Sequence, residues 1–246
     1  MGFLLQSARL RDAGFPHGFT LRTASDGTPL DYAFSRENSK TSEALLASEL
    51  GIDATRLYQV TQVHGTAVVN ADGPAKAVRE VSADALILQS RPLGAPNSAV
   101  GVRVADCVPI LIADLGTAAV AAVHAGWRGV VGKIALAALK QMGPGRKLAA
   151  IGPCIGVCCF EVSREVGEEI AAATDRCVMH LLADKPSKAQ VDLRAAVRMQ
   201  LRAAGLLDED IDDVGGCTRC EGTLYHSYRR EGEASGRMLG VIASRR

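Results

Sequence analysis

The segment VPILIADLGTAAVAAVHAGWRG, residues 108–129, decides the fold of this chain. Two nearly continuous apolar runs, 108–113 and 118–124, lie on either side of the turn 114–117. Apolar runs without alternation are typical of strands that are buried on both faces of a sheet. We therefore predict a central hairpin that is covered on both sides.

The elements around this hairpin follow from helical spacing, β-rich runs and turn residues. Helices are predicted at 41–50, 126–142, 163–174 and 192–204. Further strands are predicted at 57–60, 67–70, 85–88, 100–104, 224–229 and 237–242. This order predicts an α/β fold, a single domain over residues 1–246 built from layered mixed β-sheets and helices. A regularly alternating Rossmann fold is not expected.

Composition excludes several classes of protein. The 246 residues carry 28 basic and 27 acidic side chains, a net charge of +1, so no general attraction to nucleic acid or to an anionic membrane is expected. The N-terminus lacks the apolar region of a secretory signal. The most apolar tract is interrupted by Asp114, His124 and Arg128, which argues against a membrane span. We expect a cytoplasmic protein without nucleic-acid or membrane partners.

The seven cysteines are an odd number in a chain without a predicted signal peptide, so we interpret them as reduced thiols. Cys217 and Cys220 have C-x-x-C spacing. However, no second C-x-x-C or H-x-x-x-H pair is present to complete a tetrahedral zinc site. The sequence therefore predicts no structural zinc at this pair.

Three residues at predicted strand ends or turns, His64, Cys107 and His124, are competent zinc ligands. A His, Cys, His set leaves one position open for water or substrate, as in a catalytic zinc site. Spacing alone also allows two hydrogen-bonded core histidines and a buried thiol. In a further interpretation, Cys107 is a nucleophile and His124 is its base. The residues by themselves leave these alternatives open.

Two basic segments are candidates for anion binding. The predicted helix start at 126–132 contains Arg128 and three glycines, which would direct backbone amides at a phosphate or merely permit close packing. Near the C-terminus, Arg229, Arg230 and Arg237 accompany Tyr225, His226 and Tyr228 in a cluster that suits an anionic or aromatic ligand, or a solvated surface. The metalloprotease, P-loop and zinc-deaminase motifs are absent.

The chain resembles the YfiH-type laccase-domain family, long labelled polyphenol oxidase and regarded as zinc-dependent purine nucleoside phosphorylases. The motifs that carry the resemblance are TQVHG at 61–65, ADALI at 83–87, ADCVPILIAD at 105–114, VHAGWRG at 123–129, IGPCIGVCCFEV at 151–162 and SYRREGEASGRM at 227–238. The resemblance implies that His64, Cys107 and His124 are the metal ligands and the catalytic centre. It also implies a fold similar to that of bacterial deamidating toxins, whose cysteine and histidine act in hydrolysis. The segment 24–38 differs from the family's usual glycine-rich loop, so no site residue is assigned there.

The implied activities are phosphorolysis of adenosine, inosine, guanosine and methylthioadenosine, together with deamination of adenosine at the same site. The implied cofactor is zinc, with copper as a substitute, and the implied partners are purine nucleosides and phosphate. Arg128 or Arg229 would offset phosphate charge, and Asp84 or Asp106 would assist proton transfer. Two alternatives remain, a copper-dependent phenol oxidase and a hydrolase that edits peptidoglycan precursors. Five histidines without an H-x-H pair disfavour a multicopper site.

Overall fold

The structure is a computed structural model that describes residues 2–90 and 97–245. Its strands are β1 (Leu4–Leu5), β2 (His17–Thr20), β3 (Leu57–Tyr58), β4 (Val68–Asn70), β5 (Ala85–Leu88), β6 (Ala99–Val104), β7 (Val108–Asp114), β8 (Val120–Ala125), β9 (Lys147–Ile151), β10 (Glu161–Ser163), β11 (Met179–Leu182), β12 (Lys185–Val191), β13 (Ile211–Asp213) and β14 (Met238–Ala243). Its helices are α1 (Ala8–Asp12), α2 (Ser39–Leu50), α3 (Ala75–Arg79), α4 (Trp127–Val131), α5 (Ile134–Met142), α6 (Arg164–Ala173), α7 (Leu193–Ala203) and α8 (Tyr228–Glu231).

These strands form three sheets. The largest has the order β13-β9-β7-β8-β5-β4, so the predicted hairpin of β7 and β8 is central and antiparallel, as expected. A second sheet has the order β1-β2-β14-β6-β3, and a small third sheet has the order β10-β12-β11. Both large sheets mix parallel and antiparallel pairs. The predicted mixed α/β layering is confirmed.

The hairpin is apolar on both faces because both faces are covered. Ile110 and Ile112 pack in one cluster with residues of α4, α5 and α7. The alternate residues Leu111 and Ala113 pack in another cluster with Val100 and other residues of the second sheet. On its far side the second sheet packs against α2. Successive layers are therefore helices, sheet, sheet and helix.

Two predicted elements are wrong in part. The single helix predicted over 126–142 is broken into α4 and α5, because Lys133 adopts a left-handed conformation with φ 59°. Gly132, just before it, packs closely against Thr66. The strand predicted at 224–229 is instead a turn followed by α8, which begins after Ser227, whose hydroxyl accepts the backbone amide of Arg230. Within the described residues, no helix is long and apolar enough to cross a bilayer.

Candidate metal centre

Three junctions between strands and loops bring His64, Cys107 and His124 together. His64 lies in the loop between β3 and β4, Cys107 directly precedes β7, and His124 lies near the end of β8. Their ligand atoms all lie within 4.8 Å of one another, and the two imidazole rings meet edge to face with centroids 4.8 Å apart. Since β7 and β8 are paired, Cys107 and His124 are neighbours across the hairpin, and His64 approaches from outside it.

Asp84, which is fully buried at the start of β5, organises two of these three residues. Its carboxylate accepts the backbone amides of His64 at 2.9 Å and Gly65 at 2.6 Å, which fixes a turn in which His64 has φ 59°. The same carboxylate accepts Nδ1–H of His124 at 2.8 Å. The second ring nitrogen of His124, Nε2, is then available to bind a metal ion. Metal-binding histidines usually have this arrangement, with one ring nitrogen on the metal and the other donating to a carboxylate or carbonyl.

Protonation within the cluster is coupled. Burial raises the pKa of the Cys107 thiol, but the charge and hydrogen bonds of His124 and His64 lower it more, to about 6. Burial lowers the pKa of His124, whereas the Cys107 thiolate and Asp84 raise it more, to about 9. Without an ion, the pair is therefore thiolate and imidazolium near neutral pH. The thiolate is the form of cysteine that binds metals and acts as a nucleophile.

Gly126 has no side chain, which leaves space for His64 and Cys107 of the cluster. A Cβ at this position would lie 3.0 Å from Cδ2 of His64 and 3.2 Å from Sγ of Cys107. The glycine has an ordinary negative φ of −71°, so its role is close approach and not an unusual backbone conformation.

The cluster opens into a cavity of about 570 Å³. The residues that line it are Gln62, His64, Arg103, Ala105, Asp106, Cys107, His124, Ile155, Phe160, Tyr228, Arg229, Glu233 and Arg237. Of these, Gln62, Arg103, Ile155, Phe160 and Glu233 were not singled out from the sequence. Gln62, Ile155, Phe160 and Glu233 lie within the motifs quoted above, and only Arg103 lies outside them. Their positions in the cavity could not be predicted individually, because each residue reaches it through the packing of the two sheets and their loops.

Asp106 joins the loops around the cavity. It has φ 88°, and its carboxylate accepts the hydroxyl of Thr218 and the backbone amide of Arg229, both at 2.6 Å. Arg229 in turn donates to the carbonyl of Glu161 at 2.9 Å. Asp84 and Asp106 are thus both occupied in positioning neighbours, which is a different role from the proton transfer predicted for them.

The two predicted phosphate-binding arginines have different positions. Arg229 lines the cavity, whereas Arg128 is not among its lining residues and its guanidinium lies 4.4 Å from the centre of the Trp127 ring. The remaining histidines lie elsewhere. His17 and His226 are buried and bonded to the carbonyls of Phe15 and Leu30, and His180 is exposed.

Cys217 and Cys220 have partners that their C-x-x-C spacing does not indicate. The structure brings Cys158 and Cys159 beside them, so that the four sulfur atoms lie within 4.8 Å of one another. The expectation that nothing completes this pair is therefore wrong. The two additional thiols are adjacent in sequence and belong to a distant turn, a pattern that a search for paired C-x-x-C motifs does not detect.

The layered fold and the His, Cys, His cluster in an arginine-lined cavity define a mixed α/β protein with a candidate metal centre. The chain belongs to the family described as multi-copper polyphenol oxidoreductase laccase, whose model matches residues 33–245. This confirms the resemblance stated above.

Relatives with curated names carry nucleoside activities. The chain is 38% identical over 211 residues to adenosine deaminase RL5 from an unknown prokaryotic organism, covering 80% of this chain and 78% of that protein. It is 31% identical over 249 residues to a purine nucleoside phosphorylase of Deinococcus radiodurans, covering 95% and 91%. Among solved structures, YlmD of Geobacillus stearothermophilus matches over 100% of both chains with a TM-score of 0.83 and 25% identity.

Proposed function

We propose that this protein is a zinc-dependent purine nucleoside phosphorylase that acts on adenosine, inosine, guanosine and methylthioadenosine and also deaminates adenosine. The observation that carries the proposal is the opening of the His64, Cys107, His124 cluster into a cavity that contains three arginines. The curated names of the relatives support the same substrate class.

The donor set fits zinc. Two imidazoles and a thiolate are ligands that suit this ion, and three protein ligands are typical of a catalytic site with one open position. Asp84 supplies the carboxylate partner that a metal-binding histidine commonly has. When bound, the ion would act as a Lewis acid on an oxygen of water or substrate.

The cavity offers separate surfaces for the parts of a nucleoside and for phosphate. Phe160 and Ile155 provide apolar surface for a purine base. Arg229, Arg237 and Arg103 line the same cavity, and their positive charge suits a phosphate anion. The cavity volume of about 570 Å³ lies within the usual range for small-molecule sites. Binding both reactants here would orient them for transfer of the ribosyl group to phosphate.

Glu233 is the candidate for proton transfer to the purine. It lines the cavity, and its carboxylate accepts the hydroxyl of Tyr228 at 2.7 Å. Because Asp84 and Asp106 hold neighbouring groups through several hydrogen bonds, Glu233 replaces them in this role. Substituting Glu233→Gln should lower kcat and retain binding of the nucleoside.

The test is incubation of adenosine with the protein, with and without phosphate. Adenine and ribose 1-phosphate are expected only when phosphate is supplied, whereas deamination is expected in both cases, giving inosine without phosphate and inosine with hypoxanthine when phosphate is present. Arg229→Ala and Arg237→Ala should lower phosphorolysis much more than deamination. Arg164→Ala, which changes a surface arginine paired with Glu168, is the matched control and should leave both rates unchanged. Products and rates that do not respond to phosphate would exclude phosphorolysis.

A second candidate function is metal-free hydrolysis with Cys107 as nucleophile, as in the toxin-like cysteine hydrolases. The observation that favours it is the Asp84, His124, Cys107 arrangement, in which the carboxylate orients the imidazole and the thiol has a pKa of about 6. Hydrolytic activity that persists after chelation and is blocked by alkylation of Cys107 would support this candidate over the zinc enzyme.

Copper-dependent oxidation of phenols rests on the family description alone. Multicopper oxidases need many histidines, and in residues 2–90 and 97–245 only His64 and His124 belong to a candidate metal cluster. In the Irving–Williams order of divalent ions, Cu²⁺ binds a given set of nitrogen and sulfur ligands more tightly than Zn²⁺ does. Copper can therefore replace zinc at this cluster, and we expect weak oxidation of phenols after the protein is loaded with copper. An oxidation rate comparable to that of phosphorolysis would revive the oxidase assignment.

A further inference from the structure

Four cysteines from two distant segments meet on one side of the cavity. Cys158 and Cys159 lie in the turn before β10, and Cys217 and Cys220 lie in the turn after β13. All four sulfur atoms lie within 4.8 Å of one another, and Cys220 Sγ is 3.3 Å from Cys159 Sγ and 3.7 Å from Cys158 Sγ. This cluster shares no residue with the His64, Cys107, His124 centre.

The distances suit a shared ion better than a covalent bond. A disulfide requires about 2.05 Å between sulfur atoms. Four thiolates at about 2.3 Å from one zinc ion, in tetrahedral geometry, lie about 3.8 Å apart. The two separations of 3.3 and 3.7 Å lie closer to the second value than to the first. We propose that Cys158, Cys159, Cys217 and Cys220 form a tetrathiolate zinc site.

The surroundings of the cluster match this use. The backbone amide of Gly156 donates to Cys217 Sγ at 3.2 Å, which is the kind of outer hydrogen bond that orients a metal ligand. A Cβ on Gly156 would lie 3.2 Å from Cys158 Sγ and 3.4 Å from Cys217 Sγ, so only glycine fits easily. Four thiolates and one divalent ion carry a charge of about −2. The side chain of Arg219 contacts Cys159 and supplies positive charge beside the cluster.

The site would hold one wall of the cavity in place. The two cysteine-bearing turns already meet at a bridge between Cys154 and Cys217. Next to this bridge, Thr218 donates to Asp106, and the amide of Ile155 donates to the Asp106 carbonyl at 2.9 Å. Ile155 and Asp106 line the cavity. An ion here would position the loop that carries Cys107 without touching a substrate.

The first experiment is metal quantification per chain. Wild type and Cys177→Ser should contain about two zinc ions, whereas Cys158→Ser/Cys220→Ser and Cys107→Ala should each contain about one. Cys177 is exposed and lies outside the cluster, so Cys177→Ser is the matched control. Equal metal content in Cys177→Ser and in the double variant would overturn the proposal. If only Cys107→Ala loses metal, the tetrathiolate site is overturned and the pocket centre is supported. If only the double variant loses metal, the pocket centre is overturned and the tetrathiolate site is supported, so the two assignments can fail independently.

The second experiment needs no substitution in the cluster. Wild-type protein is alkylated with iodoacetamide, with and without a zinc chelator, and the modified cysteines are mapped by mass spectrometry. Cys158, Cys159, Cys217 and Cys220 should be protected until the chelator is added, whereas Cys177 should react in both samples. Rapid alkylation of all five without chelator would overturn the proposal. A disulfide between Cys159 and Cys220 in the protein as purified, before any chelator is added, would also overturn it and would identify a redox pair instead.

Discussion

At the scale of single residues, the pocket cluster depends on Asp84. This carboxylate both fixes the turn of His64 and sets the orientation of the His124 ring. Asp84→Asn retains the size of the side chain but removes its charge. The new NH₂ group is a donor, and it would face at least one of the N–H groups that now donate to the carboxylate. We expect a 10- to 100-fold weaker affinity for zinc, about the effect of losing an outer partner of a metal ligand.

Chelator competition measures this affinity. Asp26→Asn is the control, because Asp26 is exposed and likewise accepts a backbone amide, from Thr28 at 2.9 Å. An unchanged affinity in Asp84→Asn would show that backbone geometry alone positions the ligands.

The sequence predicted the members of the candidate cluster better than their surroundings. His64, Cys107 and His124 could be selected because each stands at a strand end or turn and has metal-binding chemistry. The roles of Asp84 and Asp106 could not be predicted, since proximity in sequence does not show that several donors converge on one carboxylate. The partners of Cys217 and Cys220 were missed for a similar reason, because they come from a segment near residue 158.

At the scale of elements, the break between α4 and α5 has a testable energetic cost. Lys133 occupies the left-handed region, which is unfavourable for a residue with a Cβ by about 1 kcal/mol. Lys133→Gly should therefore raise the free energy of unfolding by up to about 1 kcal/mol. Lys140→Gly, in the interior of α5, should lower it by about 1 kcal/mol. Urea unfolding of both variants checks the opposite signs, and a destabilised Lys133→Gly would contradict the argument.

The turn of the central hairpin depends on a buried ion pair. Asp114 accepts the amides of Gly116 and Thr117 and lies 3.0 Å from Nζ of Lys147. Burial raises the pKa of Asp114, but these amides and Lys147 lower it below its ordinary value of 3.8. As the pH falls, the unfolded chain binds the proton first. The ionised Asp114 carboxylate therefore stabilises the fold fully at pH values well above 3.8, its pKa in the unfolded chain. This stabilisation is lost as the pH falls through 3.8 and then through the lower pKa of the folded protein.

Asp114→Asn should cost about 3 kcal/mol at pH 7, because it leaves Lys147 charged and without its buried partner. The difference from wild type should shrink between pH 5 and pH 3. Asp208→Asn, which breaks exposed pairs with Arg198 and Arg202, should cost less than about 1 kcal/mol. Denaturant unfolding over this pH range provides the comparison. A difference that does not vary with pH would exclude the ionised carboxylate as its source.

Elements with a clear periodic pattern were predicted well, as α6, α7 and the central hairpin illustrate. The strands β10 to β12 were not predicted, because this small sheet is largely exposed and contains many polar residues. The error at 224–229 has a different cause. Its aromatic residues suggested a strand, but the Ser227 cap and the hydrogen bonds of Arg230 favour a helical turn.

At the scale of the whole molecule, the packed layers should fold without the pocket metal. The core is extensive and includes both large sheets, whereas the cluster lies at the ends of strands. Cys107→Ala should abolish activity and retain a single cooperative unfolding transition in thermal circular dichroism. Leu111→Ala, buried between the two sheets, should instead cost about 2–5 kcal/mol. Loss of cooperative unfolding in Cys107→Ala would mean that the pocket centre is structural.

The position of β14 has a consequence for synthesis on the ribosome. This strand follows every other described strand in the chain, yet it lies between β2 and β6 in the middle of the second sheet. Until residues 238–243 have left the exit tunnel, β2 and β6 are unpaired along the edges that β14 will cover. Exposed strand edges favour association with other chains. Nascent chains that stall before this strand should therefore be substrates for chaperones and proteases, and the sheet closes only after translation of its last strand.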